Sequence, residues 1–424
     1  MRTLTAMALA IITALATCGE TKAANRIISS DIRTLQTIAG TDWLSPPIVS
    51  LDKMASGEQP IVISFDEMSH DYRRLICHID HCEADWTVTE GLFDTNWMEG
   101  FNDFPIDDFT KSINTTFLYT HYRITLPNDL CRLKMSGNYR VSVTDENAPE
   151  DTLLTAEFMV SEDCCNMTLE ATTNTDIDVN NSHQQLSMRL DYPQLTVSDP
   201  QEQLITVVRQ NFSDDNMVWD VKPDFVANNQ MTWQHNRRLI FPGGNEYHKF
   251  ETLDLSHPTM GIEHIAWDGK CFDAWTFIDE PRRNYLYDED ADGAFIIRNS
   301  DYSESEYTCD YAWVNYTLHS GMPLDGDVYI DGWWTTDADR SNYRMTYNPE
   351  DKAYHIRLLQ KQGHYSYRYM QKRKDGKMTL AETEGNYHET ENTYHVMTYY
   401  RQQGGRTWRL VAYASLVFPD ASRH

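Results

Sequence analysis

The hydrophobic positions of this chain recur mainly with a period of two residues, not with the 3.6-residue period of a helix. Apolar and polar side chains alternate within short runs that turn-forming residues bound, which is the pattern of half-buried strands. Four clear runs in the first half of the chain are residues 61–65, 139–143, 186–190 and 204–208. No amphipathic helical pattern of convincing length accompanies them, so the sequence predicts a nearly all-β fold.

The last third of the chain repeats this pattern with aromatic side chains. Tyr365, Tyr367 and Tyr369 alternate with Ser366 and Arg368, so a strand would place the three phenol rings on one face. Residues 394–400 and 408–413 predict two further strands, with Gly404 and Gly405 in the turn between them.

The spacing of the predicted strands indicates tandem β-sandwich domains of the immunoglobulin or fibronectin type. Strands recur at intervals of roughly 10 to 15 residues with Asn, Asp, Gly and Pro between them. We predict a signal peptide over residues 1–23 and three sandwich domains over residues 24–162, 163–282 and 283–424. A transmembrane β-barrel is rejected because the regular series of lipid-facing strands is missing and the mean hydropathy is −0.58.

The first residues predict export from the cytoplasm. Arg2 precedes an apolar run over residues 6–16, which is too short to span a bilayer because spanning takes about 20 residues. Thr21, Lys22 and Ala23 provide a small-residue cleavage site before Ala24. In the alternative interpretation residues 15–18 form a lipoprotein box with Cys18 acylated, although Thr17 fits that box poorly.

Composition excludes two classes of partner. The chain has 64 acidic and 36 basic residues and a formal net charge of −28. This balance argues against nucleic acid and against an anionic lipid surface, since both need a basic face. Hydrophobic residues make up 41% and aromatic residues 12% of the chain, enough for folded cores.

The cysteines do not form a recognisable framework. Of the eight in the chain, Cys18 is lost with the leader or acylated, and seven thiols remain, so at least one is unpaired. Cys77 and Cys82 lie five positions apart in a predicted strand and are expected on opposite faces. We expect mostly buried thiols, with room for one bridge.

No catalytic, cofactor-binding or metal-binding residue is assigned from the sequence. The chain lacks a GxSxG elbow, an HExxH helix and a Walker A loop. His78 and His81 would point to opposite faces of a strand and do not share an ion. Asp288, Asp290 and Asp292 have the DxDxDG spacing of a calcium loop, but Asn299 stands at the twelfth position, which favours a solvated acidic turn and leaves calcium open.

Several ordered blocks of the sequence resemble the type 9 secretion system plug proteins of Bacteroidota. In the first half they are residues 32–36, 81–86, 100–103, 119–122, 126–128 and 136–139. Further along they are residues 241–247, 288–293, 362–367, 384–392 and 404–406. The resemblance spans nearly the whole mature chain, and Trp408 departs from it because an acidic or small residue is expected there.

This resemblance implies a non-enzymatic protein without a cofactor or a small-molecule substrate. Its expected partner is the large outer-membrane translocon β-barrel of the type 9 secretion system, whose periplasmic mouth it would seal when no cargo is engaged. The expected location is the periplasm, on the inner side of the outer membrane. The alternative is a glycan-binding β-sandwich protein, which would use Trp333, Trp334 and the tyrosine stripe at 365, 367 and 369 as aromatic platforms.

Overall fold

The structure, a computed structural model, describes residues 25–300 and 304–419. The predicted signal peptide, Cys18 and residues 420–424 lie outside the described residues. Within the described part, the longest helix has six residues, and no helix is long and apolar enough to cross a membrane. The predicted all-β class is therefore confirmed.

The first part of the chain folds into two facing sheets. Its strands are β1 Arg26–Ile27, β2 Ile32–Ala39, β3 Ile48–Ser50, β4 Ile61–Glu67, β5 Leu75–Cys82, β6 Met98–Gly100, β7 Phe104–Pro105, β8 Phe109–Lys111, β9 Thr120–Leu126, β10 Cys131–Leu133, β11 Gly137–Asp145 and β12 Ala148–Ser161. Its short helices are α1 Leu51–Ser56 and α2 Asp94–Trp97. One sheet has the order β1-β12-β11-β5-β7, with β3 beside β12, and the other has the order β2-β4-β9-β8. Inward side chains of both sheets form one apolar core, so this part is a β-sandwich.

The second sandwich is built from two separate segments of the chain. Its elements are β13 Asn166–Thr172, β14 His183–Asp191, α3 Pro200–Gln203, β15 Leu204–Gln210, β16 Phe225–Ala227, β17 Gln230–Trp233, a 3₁₀ turn over Arg237–Leu239 and β18 Ile240–Pro242. The sheet β13-β14-β17-β16, with β18 on β14, faces a sheet whose first strand is β15. The other two strands of that sheet come from the end of the chain.

The third sandwich lies between these two segments. Its elements are β19 His248–Glu251, β20 Ile262–Trp267, β21 Phe272–Thr276, β22 Phe295–Ile297, α4 Ser305–Thr308, β23 Tyr311–His319, β24 Asp327–Asp331, a 3₁₀ turn over Arg340–Tyr343, β25 Thr346–Asn348, β26 Ala353–Lys361, β27 Gly363–Lys372 and β28 Met378–Leu380. The sheet β20-β21-β23-β26-β25 faces β19-β27-β22, with β24 and β28 also on β27.

The last two strands return to the second sandwich. These are β29 Asn392–Tyr400 and β30 Arg409–Phe418, and β29 pairs antiparallel with β15 from Leu204 opposite Tyr400 to Gln210 opposite Tyr394. Strand β19 likewise pairs with β27. In both pairings one strand lies before the boundary predicted between residues 282 and 283 and the other lies after it. The predicted boundary rests on position along the chain, whereas strand pairing joins residues that are far apart in the sequence. We propose instead that residues 163–242 and 391–419 form the second sandwich and residues 243–390 the third.

The strands predicted from alternation are present, and the tyrosine stripe is fully internal. Tyr365, Tyr367 and Tyr369 are at most 3% exposed and lie in the core of the third sandwich. The polar residues between them are also buried, with Ser366 at 0% and Arg368 at 8% exposure. Strand β27 is therefore covered on both faces, which the alternating pattern does not reveal.

A first prediction concerns the core of the second sandwich. Trp233 is fully buried and donates its indole N–H to the carbonyl oxygen of Val221 at 2.9 Å. We expect Trp233→Ala to lower the free energy of unfolding by roughly 3–5 kcal/mol, since it removes a large buried ring and leaves a cavity. Chemical denaturation followed by circular dichroism measures the loss.

The matched control is Phe225→Ala on the neighbouring strand β16. Phe225 is 63% exposed, so the change should stay within about 0.5 kcal/mol. Equal effects of the two substitutions would contradict the assignment of Trp233 to the core.

Candidate functional site

The first and third sandwiches meet at a cluster of buried polar side chains, which we call the Lys361 cluster: Asp66, His121, Tyr311 and Lys361. The Lys361 ammonium lies 2.6 Å from Asp66 Oδ2, and both side chains are only 1% exposed. The Tyr311 hydroxyl donates to the same carboxylate oxygen at 2.7 Å, and His121 Nδ1 lies 2.7 Å from Oδ1. Burial by itself would raise the pKa of Asp66, but the Lys361 ammonium and the hydrogen bond from His121 hold this pKa below its ordinary value.

Hydrogen bonds around this cluster extend the contact between the two sandwiches. Lys361 also donates to the Glu306 carbonyl oxygen at 2.5 Å, and its ammonium lies 4.1 Å from the centre of the Tyr119 ring. Asp310 accepts the backbone N–H groups of Thr116 at 2.7 Å and Phe117 at 3.1 Å. A cation, a carboxylate and backbone groups are thus paired across one buried junction.

The first and second sandwiches share an apolar junction, which we call the Trp408 cluster. Its members are contributed by both sandwiches and are Ile48, Cys82, Ala84, Trp86, Met159, Val207, Met397, Tyr399, Trp408 and Leu410. Trp408 is 9% exposed, and the Arg401 guanidinium lies 4.5 Å from its ring centre. The Tyr399 hydroxyl donates to Asn138 Oδ1 at 2.9 Å. Trp408, the residue that differs from the plug-family pattern, is therefore part of the contact between the two sandwiches.

A cavity of about 420 Å³, which we call the central cavity, lies where the three sandwiches meet. Trp333 and Phe212 line it with rings 6.1 Å apart, and charged side chains line it as well. Arg368 Nε is 3.1 Å from Asp331 Oδ2, and Arg340 Nη2 is 2.9 Å from Asp331 Oδ1. These ion pairs join neighbouring segments around the cavity wall.

His248 lies between two carboxylates inside the third sandwich. Its Nδ1 is 2.9 Å from Asp279 Oδ1, and its Nε2 is 3.1 Å from Glu384 Oε2. Burial would lower the pKa of His248, but the two carboxylates outweigh it and raise this pKa to about 9. For Glu384, burial is outweighed by His248 and by the guanidinium of Arg282, so its pKa falls to about 2. The charged histidine links strand β19 to the turn that follows strand β28.

The acidic loop at residues 288–293 does not gather its three aspartates around one point. Asp288 is exposed and pairs with the Lys249 ammonium at 2.6 Å, whereas Asp290 accepts the backbone N–H of Tyr247. Asp292 accepts the Thr393 hydroxyl at 2.7 Å, and burial raises the pKa of Asp292 to about 7. Through these contacts the loop joins the second sandwich to the third.

His78 and His81 have separate environments. His78 Nδ1 is 2.7 Å from Asp103 Oδ1 near the surface, whereas the buried His81 Nδ1 is 2.9 Å from Thr89 Oγ1. The predicted opposite orientation of Cys77 and Cys82 is confirmed, since Cys77 lies in the core of the first sandwich and Cys82 in the Trp408 cluster. All seven cysteines of the described residues are free thiols.

The aromatic residues proposed for glycan binding are mostly internal. Trp334 is 8% exposed and donates its indole N–H to the Ser366 carbonyl oxygen at 2.9 Å. The tyrosine stripe is buried, and Trp333 lines the central cavity. These positions therefore do not form an exposed platform.

One cluster of metal-ligating side chains was missed by sequence reasoning. Among the described residues, Asp268, Cys271 and Asp273 are the one group of three whose ligand atoms lie within 4.8 Å of one another. Asp268 Oδ1 accepts the backbone N–H of Cys271 at 2.8 Å, and Asp273 holds the Arg357 guanidinium at 2.7 Å. Because turn and ion-pair contacts account for both carboxylates, we assign no metal here. The Lys361 cluster was also missed, since its members have no common spacing.

Comparison with known proteins gives a family and a close structural relative. The family model "Type 9 secretion system plug protein 1st domain" matches residues 32–162. The chain belongs to the type 9 secretion system plug family. A solved crystal structure of a hypothetical protein from Parabacteroides merdae ATCC 43184 is 36% identical, with a TM-score of 0.87 over 93% of this chain and 99% of that chain. A search of curated proteins gave no match.

Two blocks that carry the resemblance to the plug family meet in space. Residues 241–247 lie against residues 384–392, where the Asn245 amide donates to the Glu384 carbonyl oxygen at 2.8 Å and Asn392 Nδ2 donates to the Gly243 carbonyl oxygen at 2.8 Å. A Cβ on Gly243 would lie 1.9 Å from the Tyr387 carbonyl oxygen, so the approach requires glycine. These two blocks therefore hold the junction between the second and third sandwiches.

A second prediction concerns the Lys361 cluster. Lys361→Met leaves the Asp66 carboxylate buried without its cation, and we expect a loss of roughly 3–5 kcal/mol in the free energy of unfolding. Adding Asp66→Leu to this variant should restore part of the loss, because no unpaired charge then remains. Denaturation of the two single variants and the double variant measures the coupling.

The control for this series is Lys374→Met. Lys374 pairs with Asp325 at 2.7 Å, but the two side chains are 83% and 68% exposed, so solvent screens the pair and the expected loss is far smaller than that of Lys361→Met. A loss of the same size as that of Lys361→Met would refute the role of the buried pair.

A third prediction is the pH dependence that His248 confers. Its pKa of about 9 in the folded chain lies above the ordinary 6.5, so its stabilisation is fully present below pH 6.5 and disappears as the pH rises through 9. We expect this to amount to roughly 3 kcal/mol, since each unit of the rise from 6.5 to about 9 is worth about 1.4 kcal/mol. The measurement is the free energy of unfolding between pH 6 and pH 10 for the wild type and for His248→Gln, whose profile should be flatter.

His235→Gln is the matched control, since the His235 side chain is 83% exposed. Its pH profile should follow the wild type. If His248→Gln and the wild type lose stability in parallel above pH 7, the charged state assigned to His248 is wrong.

Proposed function

We propose that this protein is a non-enzymatic plug that seals the periplasmic side of the outer-membrane translocon pore of the type 9 secretion system when no cargo is engaged. The observation that carries the proposal is the match of residues 32–162 to the first domain of the plug family. The proposed partner is the large β-barrel that forms this pore, and the proposed location is the periplasmic face of the outer membrane.

The junctions between the sandwiches support this role physically. A pore that is wide enough for folded cargo leaks periplasmic contents unless the protein that closes it is rigid. In this chain a buried ion pair, an apolar cluster and paired glycine-containing turns hold the three sandwiches against one another. Such contacts limit hinge motion between domains, whose interfaces otherwise permit movement.

Because the plug must be released from the pore, its interface with the pore must differ from the internal junctions between its sandwiches. A reversible seal suits a polar-rimmed interface on the order of 1,200–2,000 Å² rather than a large apolar one. The net charge of −28 would steer the protein toward a basic pore lining and make the association sensitive to salt.

The fourth prediction tests the partner and the barrier together. Purification of the tagged native protein from detergent-solubilised outer membranes, followed by mass spectrometry, should recover one very large β-barrel. Deletion of the gene should make the outer membrane permeable to bulky solutes, and complementation with the wild-type gene should restore the barrier. Recovery of the protein alone, with an intact barrier in the deletion strain, would refute the plug role.

The salt dependence of the association is measured by repeating the same purification at increasing salt concentrations. We expect recovery of the barrel to fall as the salt concentration rises, because exposed charges more than about 8–10 Å apart are screened at physiological ionic strength. Recovery that does not change with salt would remove the electrostatic part of the proposal and leave the seal itself in place.

A further inference from the structure

The outer face of the third sandwich carries an open groove of about 380 Å³, which we call the Trp275 groove. It runs across the sheet β20-β21-β23-β26-β25, on the side away from the core. Its main lining side chains are Trp275, Asn315, Thr317, Thr346, His355 and Arg357. None of these side chains takes part in the domain junctions described above.

Strand register explains why these side chains share a surface. Trp275 lies opposite Asn315, which lies opposite Arg357 on the next strand. Thr317 lies opposite His355, which lies opposite Thr346. Because Asn315 and Thr317 are two positions apart, the two rows are neighbours on one face of the sheet.

The indole of Trp275 is held in place by a neighbouring ring. The His264 ring stacks on it with centroids 4.1 Å apart and an interplanar angle of 7°. A fixed indole at the wall of an open groove favours ligands with a flat apolar surface, such as the C–H face of a pyranose ring. A preorganised ring also reduces the entropy lost on binding.

The rest of the groove offers both hydrogen-bond donors and acceptors. Asn315 Nδ2 donates to the Ala274 carbonyl oxygen at 3.2 Å and to Asp273 Oδ1 at 3.3 Å, and no described residue donates to its Oδ1. Thr317 Oγ1 lies 3.3 Å from His355 Nδ1. Hydroxyl groups of a sugar both donate and accept, so they match such a mixed set.

The charges around the groove are already balanced, which selects against ionic ligands. Arg357 forms a two-pronged contact with Asp273 at 2.8 and 2.9 Å, and His355 Nε2 lies 2.9 Å from Asp351 Oδ2. Arg344, at the groove wall, lies 3.7 Å from Asp327. Because each basic side chain is paired with an acidic one, the groove offers polar contacts to a ligand but no strong electrostatic field of one sign.

We propose that the Trp275 groove binds a neutral saccharide, with one pyranose ring packed against Trp275 and its hydroxyl groups on Asn315, Thr317 and Arg357. This site is distinct from the Trp333, Trp334 and tyrosine positions considered in the sequence, and it does not depend on the plug role.

The test is isothermal titration calorimetry of the full mature protein with hexasaccharides of glucose, xylose, mannose and N-acetylglucosamine, and with oligogalacturonate as an acidic comparator. We expect at least one neutral hexasaccharide to bind with a Kd below about 1 mM, and Trp275→Ala to weaken this binding by about tenfold or more. Asn315→Ala should weaken it to a smaller extent.

Trp267→Ala is the matched control, because Trp267 is a 50% exposed tryptophan of the same sheet that does not line the groove. It should bind like the wild type, and thermal unfolding should show that both tryptophan variants fold. The proposal is overturned if no neutral hexasaccharide binds, if Trp275→Ala binds as well as Trp267→Ala, or if oligogalacturonate binds more tightly than every neutral chain.

Discussion

The pairing of the Lys361 ammonium with the Asp66 carboxylate is the interaction on which the arrangement of the sandwiches most depends. Both groups are almost completely removed from water, and each would be costly to bury alone. The geometry that pairs them exists only when the end of strand β26 lies against strand β4. The ion pair therefore ties the third sandwich to the first, because a placement that kept both groups buried but separated them would leave a buried charge unpaired.

The return of strands β29 and β30 adds a constraint of another kind. They complete a sheet that begins with β15, so the third sandwich is inserted between two segments of the second and is attached to it at both ends. Leu410 of β30 and Trp408 just before it also enter the apolar junction with the first sandwich. A two-point attachment and two further junctions suit the proposed plug role, which requires the protein to keep its shape.

The family motifs and the remaining chemistry of the chain lie in different places. The blocks around Gly243 and Tyr387 are used internally, where a backbone carbonyl oxygen occupies the space that a side chain would need. The open groove beside Trp275 has no such structural use, and its residues belong to none of the blocks that carry the resemblance. A scaffold whose shape is held by its junctions leaves its outer sheet faces available for other contacts.

The sequence by itself determined the all-β class, seven of the strands and the family, because alternation and turn residues are local properties and the family motifs are short and ordered. Strand β27 shows where this information ends. The alternation identified its tyrosine face, but the burial of Arg368 follows from Asp331 and the Tyr247 ring, which lie 37 and more than 100 positions away. Partner choice between strands, the Lys361 cluster and the Trp275 groove likewise join distant residues, and only the tertiary structure decided them, since burial and charge pairing are properties of the assembled fold.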